Sequence, residues 1–301
     1  MSSQEQKMRS EFSRRHPLVN FLYFAGVILI SVLSTHPWML GIGFVVSLIY
    51  QIFLCGLRSL KMNMWMAVPI LIFTVVIQPI FNNRGVSAIF YINGNMVSLQ
   101  AVIYGLAMSI LLISEVQWFR CYSVIVTSDK FIYLFGRILP SVALLLSMIF
   151  RTIPLLKKRF TEIEQGQRAL GMIYQGMSIF TRIRIFIKEI SILIAWSLEA
   201  SIETADSMEA RGHGSGRRTN FHLFHFEPVD CICIIIEILL TGVCIAGVVT
   251  GNTQAFYFPE IYIRQDMGTA MTGICYLLLA VFPVIYDIGG LQKWKLLRSE
   301  M

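Results

Sequence analysis

Between Leu18 and Leu57 the chain has no Asp, Glu, Lys or Arg. Charge is scarce elsewhere too, at 14% of residues against 55% hydrophobic, with a mean hydropathy of +0.65, which excludes an ordinary soluble domain. Of the six cysteines only Cys231-x-Cys233 are closely spaced, and at the start of an apolar run they read as lipid-facing filler rather than a metal site. Five histidines, His16, His36, His213, His222 and His225, make no metal-ligand spacing on a span, and His222-x-x-His225 reads as a solvated pair in a linker. There is no Asp-rich magnesium site and no facing pair of His and Glu positions, so a membrane prenyltransferase or protease is disfavoured. "GHGSGRRT" has the glycines of a phosphate loop but neither the preceding strand nor the Gly-Lys-Ser/Thr ending.

What is present is a series of uncharged runs, each long enough for a bilayer core of about 30 Å. Residues 18–57 supply two, with a break at Thr35-His36-Pro37; the others are Met62–Asn83, Gly85–Ser114, Ile238–Pro259 and Met267–Tyr286. The expected fold is all-α, a polytopic integral membrane protein with about six spans and a cytoplasmic amphipathic helical insert. The basic, then apolar, N-terminal region resembles a signal peptide, but the uncharged region is too long and lacks a small-residue cleavage site, so it is read as a retained first span. Of 25 Lys and Arg, all but Arg84 and Arg264 fall on one side of this topology. By the positive-inside rule that side is cytoplasmic, with both termini, in the cell membrane. The net charge of +7 is then a topological feature, and no nucleic-acid partner is needed to explain it.

The organisation read from this pattern is spans 1 to 4 over residues 1–125, an inner-face helix and cytoplasmic helices over 126–226, and spans 5 and 6 over 227–301. Crossing parity keeps the apolar helix from Phe131 to Ile153 at the inner face, in agreement with Arg137, Pro140, Arg151 and Pro154 within it. Asn93-Gly94 between strand-like residues is a hairpin signal. In the insert, Leu156, Phe160, Ile163, Gln167, Leu170, Tyr174 and Met177 form one stripe at helical spacing, and a second helix runs from about Arg184 to Ala210. Such helices either lie on the membrane or on each other, or present a docking platform to other proteins. Glu237 reads as the one acid at membrane depth, close enough to the inner face to snorkel or pair.

Arg211 stands out within "SMEARGHGSGRRT". Gly212 after the second helix suits a left-handed cap, and the residues three and four before Arg211 are Met208 and Ser207, which leave its charge without a local acid. Small Ala210 and Gly212 let another backbone approach while the guanidinium enters an acidic groove; an ordinary solvated arginine at a helix end is the alternative.

"DSMEARGHGSGRRT" resembles the second Ala-Arg-Gly coupling motif of the transmembrane T component of energy-coupling factor (ECF) transporters, importers of vitamins and metal ions. "RRHPLVNFLYF", "QPIFNNRGVSAIFYINGN" and "TSDKFIYLFGRILPSVALLLSMIFRTIPLLKKRF" resemble the same family in the same order. The resemblance implies a non-catalytic scaffold without a cofactor of its own. Its partners would be a substrate-binding membrane S component and two cytoplasmic ABC ATPase subunits that hydrolyse the ATP. The second motif is Ala210, Arg211 and Gly212. The place of the first is Arg168, Ala169, Leu170 and Gly171, where leucine stands at the arginine position. Two residues along a helix is about 200°, so Arg168 does not simply replace it, and Glu164 four residues earlier offers Arg168 a local ion pair. Leu170 is expected to join the apolar stripe. A membrane enzyme would need converging acids, and a self-sufficient carrier internal repeats around a polar site; neither is seen.

The topology is checked by labelling intact cells with a membrane-impermeant thiol reagent. A cysteine placed at Asn93 or Asn252 is expected to react and one at Ser215 to be spared, and labelling at Ser215 would overturn the orientation.

Overall fold

The computed structural model describes residues 10–81, 85–92, 95–136, 140–172, 177–214 and 224–299. The turn residues Asn93 and Gly94, together with Arg84, Arg137, Tyr174 and His222, lie outside them. The helices are α1 (Pro17–Leu33), α2 (Pro37–Cys55), α3 (Arg58–Phe81), α4 (Leu99–Ile125), α5 (Ser128–Gly136), α6 (Pro140–Ala169), α7 (Ile179–Ala210), α8 (Pro228–Val249) and α9 (Met267–Ser299). Two small antiparallel ribbons interrupt them, β1 (Ala88–Ile92) with β2 (Asn95–Ser98) and β3 (Ala255–Phe256) with β4 (Tyr262–Ile263). Two compact units result, Met1–Lys130 with Phe224–Met301, and Phe131–Leu223.

The first unit is the membrane part. Helices α2, α3, α4, α8 and α9 are long and apolar enough to cross a bilayer, and α1 is a shorter apolar helix of 17 residues. The all-α polytopic fold expected from the sequence is therefore present. Proline opens α1, α2 and α8 at the first turn, where its missing N–H is no loss. At α8 the Asp230 carboxylate also accepts from Glu227 N–H at 3.0 Å, closing the helix start.

Three boundaries differ from the uncharged runs. The run from Gly85 to Ser114 does not form one helix, because Ala88–Ile92 pairs with Asn95–Ser98 and α4 starts only at Leu99, with Ser98 Oγ accepting from Ala101 N–H. The fifth span is Pro228–Val249 rather than 238–259. Its acids sit at the cap or inside, where counting uncharged residues discards them, and the residues after Val249 turn into β3. The apolar segment 131–153 is shared between α5 and α6, and Pro140 opens the latter, where proline is tolerated.

Within this unit α3 packs along α4, α4 along α2, α8 against α1 and α9, and α9 against α2. Trp118 is fully buried among Tyr23, Phe24 and Tyr50, with ring centroids at 6.3, 6.4 and 6.5 Å. Polar ties sit at the helix ends. At one end Thr35 N and His36 N donate to Thr253 O at 3.1 and 3.0 Å, and Tyr257 OH donates to Thr35 O at 2.9 Å, which fixes the break between α1 and α2. At the other, Asp287 accepts from Phe12 N at 2.7 Å, Ser10 Oγ at 3.1 Å and Tyr50 OH at 3.5 Å. Arg15 reaches Glu227 at 2.6 Å and stacks over Tyr286.

Close helix approach in lipid relies on small residues, because dispersion between well-fitted surfaces replaces the hydrophobic effect there. At Gly105 of α4 a Cβ would lie 3.0 Å from Thr74 O and 3.1 Å from Val75 Cα, both backbone atoms of α3. Gly41 has nothing within 4 Å of the same position. Gly105→Leu is expected to separate α3 from α4 at a cost of about 1–3 kcal/mol and lower the Tm in detergent, whereas Gly41→Leu leaves it unchanged. Thermal unfolding followed by size exclusion checks both.

Candidate functional site

The second unit consists mainly of α6 and α7, which pack on each other. Phe160 meets Phe186 edge to face at 6.0 Å, and the Arg159 guanidinium stacks over Trp196 at 4.9 Å. Beside this crossing, Gln167 of α6 and Glu189 of α7 are buried, although most of their helices is exposed. One oxygen of each lacks a hydrogen-bond partner. Arg168 pairs with Glu164 at 2.6 Å, one turn back on the same helix, as its spacing predicts.

Both singled-out motifs form helix C-termini, and they form them in the same way. At the end of α6, Gly171 has φ +70°, Gly171 N donates to Arg168 O at 3.0 Å, and Met172 N donates to Gln167 O at 3.1 Å. At the end of α7, Gly212 has φ +79°, Gly212 N donates to Glu209 O at 2.8 Å, and His213 N donates to Met208 O at 3.0 Å. Each pair of bonds closes the last turn around a left-handed glycine, a Schellman cap. Ala169 and Ala210 are therefore the last helical residues, Leu170 and Arg211 occupy the same capping position, and Gly171 and Gly212 the same left-handed one. The cap expected at Gly212 is present.

Leu170 departs from the sequence expectation. It does not continue the stripe of α6, because the helix ends at Ala169 and leaves Leu170 beyond it, 71% exposed. The stripe stops at Gln167. Arg211 is also exposed and makes no ion pair among the described residues. The two motifs are not brought together, since each tips a different helix. Arg211 lies about 30 Å along α7 from Glu189, taking 1.5 Å per residue. Each tip thus combines an exposed side chain at the cap with a small residue on either side.

Inside the membrane unit, Glu237 does not snorkel. It is buried, and neither carboxylate oxygen has a hydrogen-bond partner among the described residues. Nor is it the one buried acid within a candidate span, because Glu115 of α4 and Asp287 of α9 are buried too. Glu115 escaped notice because the run ending at Ser114 was read as a whole span; once β1 and β2 take Ala88–Ile92 and Asn95–Ser98, Glu115 falls well inside α4. Cys231 is exposed, but Cys233 packs in the core rather than facing lipid. No cluster of metal-ligating side chains occurs among the described residues.

No family model matches the chain. It is similar to the energy-coupling factor transporter transmembrane protein EcfT 1 of Listeria monocytogenes, 26% identical over 203 residues covering 64% of this chain and 73% of that protein. The protein of the same description from Lacticaseibacillus paracasei is 24% identical over 245 residues, 76% of this chain and 89% of its own. That of Lactobacillus helveticus is 29% identical over 102 residues, 34% and 37% of the two chains. The resemblance read from the motifs is thus matched by similarity across most of the chain, and the protein is a multi-pass membrane relative of the ECF transporter T component.

Burial between the two helices pushes the Glu189 carboxyl above its ordinary value; Glu164 adds to the rise and Arg168 opposes it. Because the shift is upward, Glu189 weakens the α6–α7 pair as pH climbs from the ordinary carboxylate range toward neutrality, and costs nothing once protonated. Glu189→Gln is therefore expected to stabilise the protein at neutral pH, by less than about 1 kcal/mol in so thin a layer, with the gain vanishing below about pH 4. Thermal unfolding across this pH range reads the difference.

Proposed function

We propose that the chain is the membrane scaffold of an ECF-type ABC importer. It couples two cytoplasmic ATPase subunits to a separate S component that binds a vitamin or metal ion. The scaffold hydrolyses nothing itself. Both termini and the unit containing α6 and α7 face the cytoplasm, in line with the lysine and arginine distribution.

The observation that carries this reading is the shared cap. Two long helices end in the same three-residue geometry, each presenting one exposed side chain between alanine and glycine. Two equivalent tips suit two ATPase subunits. Arg211, with no acid one turn back, is the cation that enters a carboxylate-lined groove. At the other tip Leu170 offers an apolar contact at the same position, while Arg168 is already held by Glu164. The asymmetry favours two grooves of different polarity in this reading, with movement of either ATPase passed to the membrane unit through α6 and α7.

Three variants at equal membrane levels test the reading. Arg211→Glu is expected to abolish substrate uptake and release one ATPase, since removing a member of a largely buried charge pair costs about 2–5 kcal/mol. Leu170→Asp should impair assembly through lost apolar burial, and Arg168→Ala, which breaks an exposed local pair, should do little. If Arg168→Ala is as damaging as Arg211→Glu, the assignment of Leu170 to the contact fails.

A further inference from the structure

The charge along α7 is segregated. From Leu170 to Lys188 the sequence holds no Asp or Glu, and the first turns of α7 carry Arg182, Arg184 and Lys188, all exposed and without a salt bridge among the described residues. The second half of the helix carries Glu199, Glu203, Asp206 and Glu209, also exposed. Along the same first turns, Phe180, Ile183 and Ile187 recur at spacings of three and four and are 85%, 51% and 61% exposed. Glu189, the first acid, points the other way and is buried. The stripe is therefore not the face that packs on α6.

We infer that Ile179–Lys188 is a membrane-surface anchor that lays its apolar stripe into the headgroup layer of an anionic bilayer. The segment has the two properties such a surface selects. Its aromatic and branched side chains fit the boundary between headgroups and acyl chains, and its flanking cations meet lipid phosphates. The exposed acids of α7, which begin at Glu199, are repelled by the same surface, so the contact extends no further than Leu198, about 20 Å from Arg211 along the helix. An apolar groove in a protein would satisfy Phe180 and the isoleucines but would need its own acids for three cations; the bilayer already adjacent to a multi-pass protein supplies both. The anchor requires only that the chain spans a membrane, and does not depend on the ATPase contacts.

The test places photoreactive benzoylphenylalanine at Phe180, Ile187 or Ile202 of the full chain, reconstituted in vesicles of phosphatidylcholine with or without phosphatidylglycerol. Lipid adducts are counted by mass spectrometry. Positions 180 and 187 are expected to label lipid severalfold more than position 202, and more strongly with phosphatidylglycerol present. Each cation near an anionic surface strengthens binding about fivefold, so the combined Arg182→Glu, Arg184→Glu and Lys188→Glu variant should lose the phosphatidylglycerol dependence. The comparison of vesicle types with unaltered cations stands even if that variant expresses poorly. Equal labelling at the three positions, or labelling indifferent to phosphatidylglycerol, overturns the anchor. So do crosslinks from positions 180 and 187 to a protein chain when the assembled complex is irradiated. ATPase retention measured on the same triple variant tests the scaffold reading separately.

Discussion

A hydrocarbon layer offers no hydrogen bonds, and most of the membrane unit answers that constraint, with the buried carboxyls of Glu115 and Glu237, unpartnered among the described residues, as exceptions. Backbone groups are closed within helices, helix starts are placed at prolines whose missing N–H needs no partner, and polar ties collect where helices end. The break between α1 and α2 is held by Thr253 and Tyr257. At the opposite end Asp287 gathers Ser10, Phe12 and Tyr50, so that the residues before α1 are fastened to α9 and α2. Ser10 and Phe12, ahead of α1, thereby become part of the bundle.

The second unit obeys different rules. Helices α6 and α7 are exposed over most of their surface, and large apolar side chains there remain uncovered within this chain: Leu170, Ile179, Phe180, Ile187 and Leu198. A monomeric soluble protein rarely leaves such stripes open. The uncovered area is divided by charge along α7 and by position between the two helix tips. One two-helix element can therefore serve several surfaces at once. The caps also hold the tips rigid, since a Schellman turn satisfies the last carbonyls and fixes where the capping side chain leaves the helix. Rigid tips are what a mechanical linkage needs, because motion at a partner is transmitted only if the contact does not flex.

The sequence by itself determined the class of fold, because the hydropathy of six segments is a local property, and the asymmetry of lysine and arginine can be counted without coordinates. It also marked the end of the helix that carries the second motif, since glycine after a helical pattern is a local signal and Gly212 obeys it. The local pair of Arg168 with Glu164 was legible for the same reason. What only the tertiary structure decided depends on neighbours distant in sequence. A run of uncharged residues does not say where the helix begins, so the pairing of β1 with β2 moved the start of α4 and carried Glu115 well inside that candidate span. Whether Glu237 snorkels or is enclosed depends on which side of α8 meets α1 and α9. Leu170 looked like part of a stripe because spacing alone continues past a helix end; the bonds of Gly171 and Met172 ended the helix one residue earlier and turned a packing residue into an exposed one.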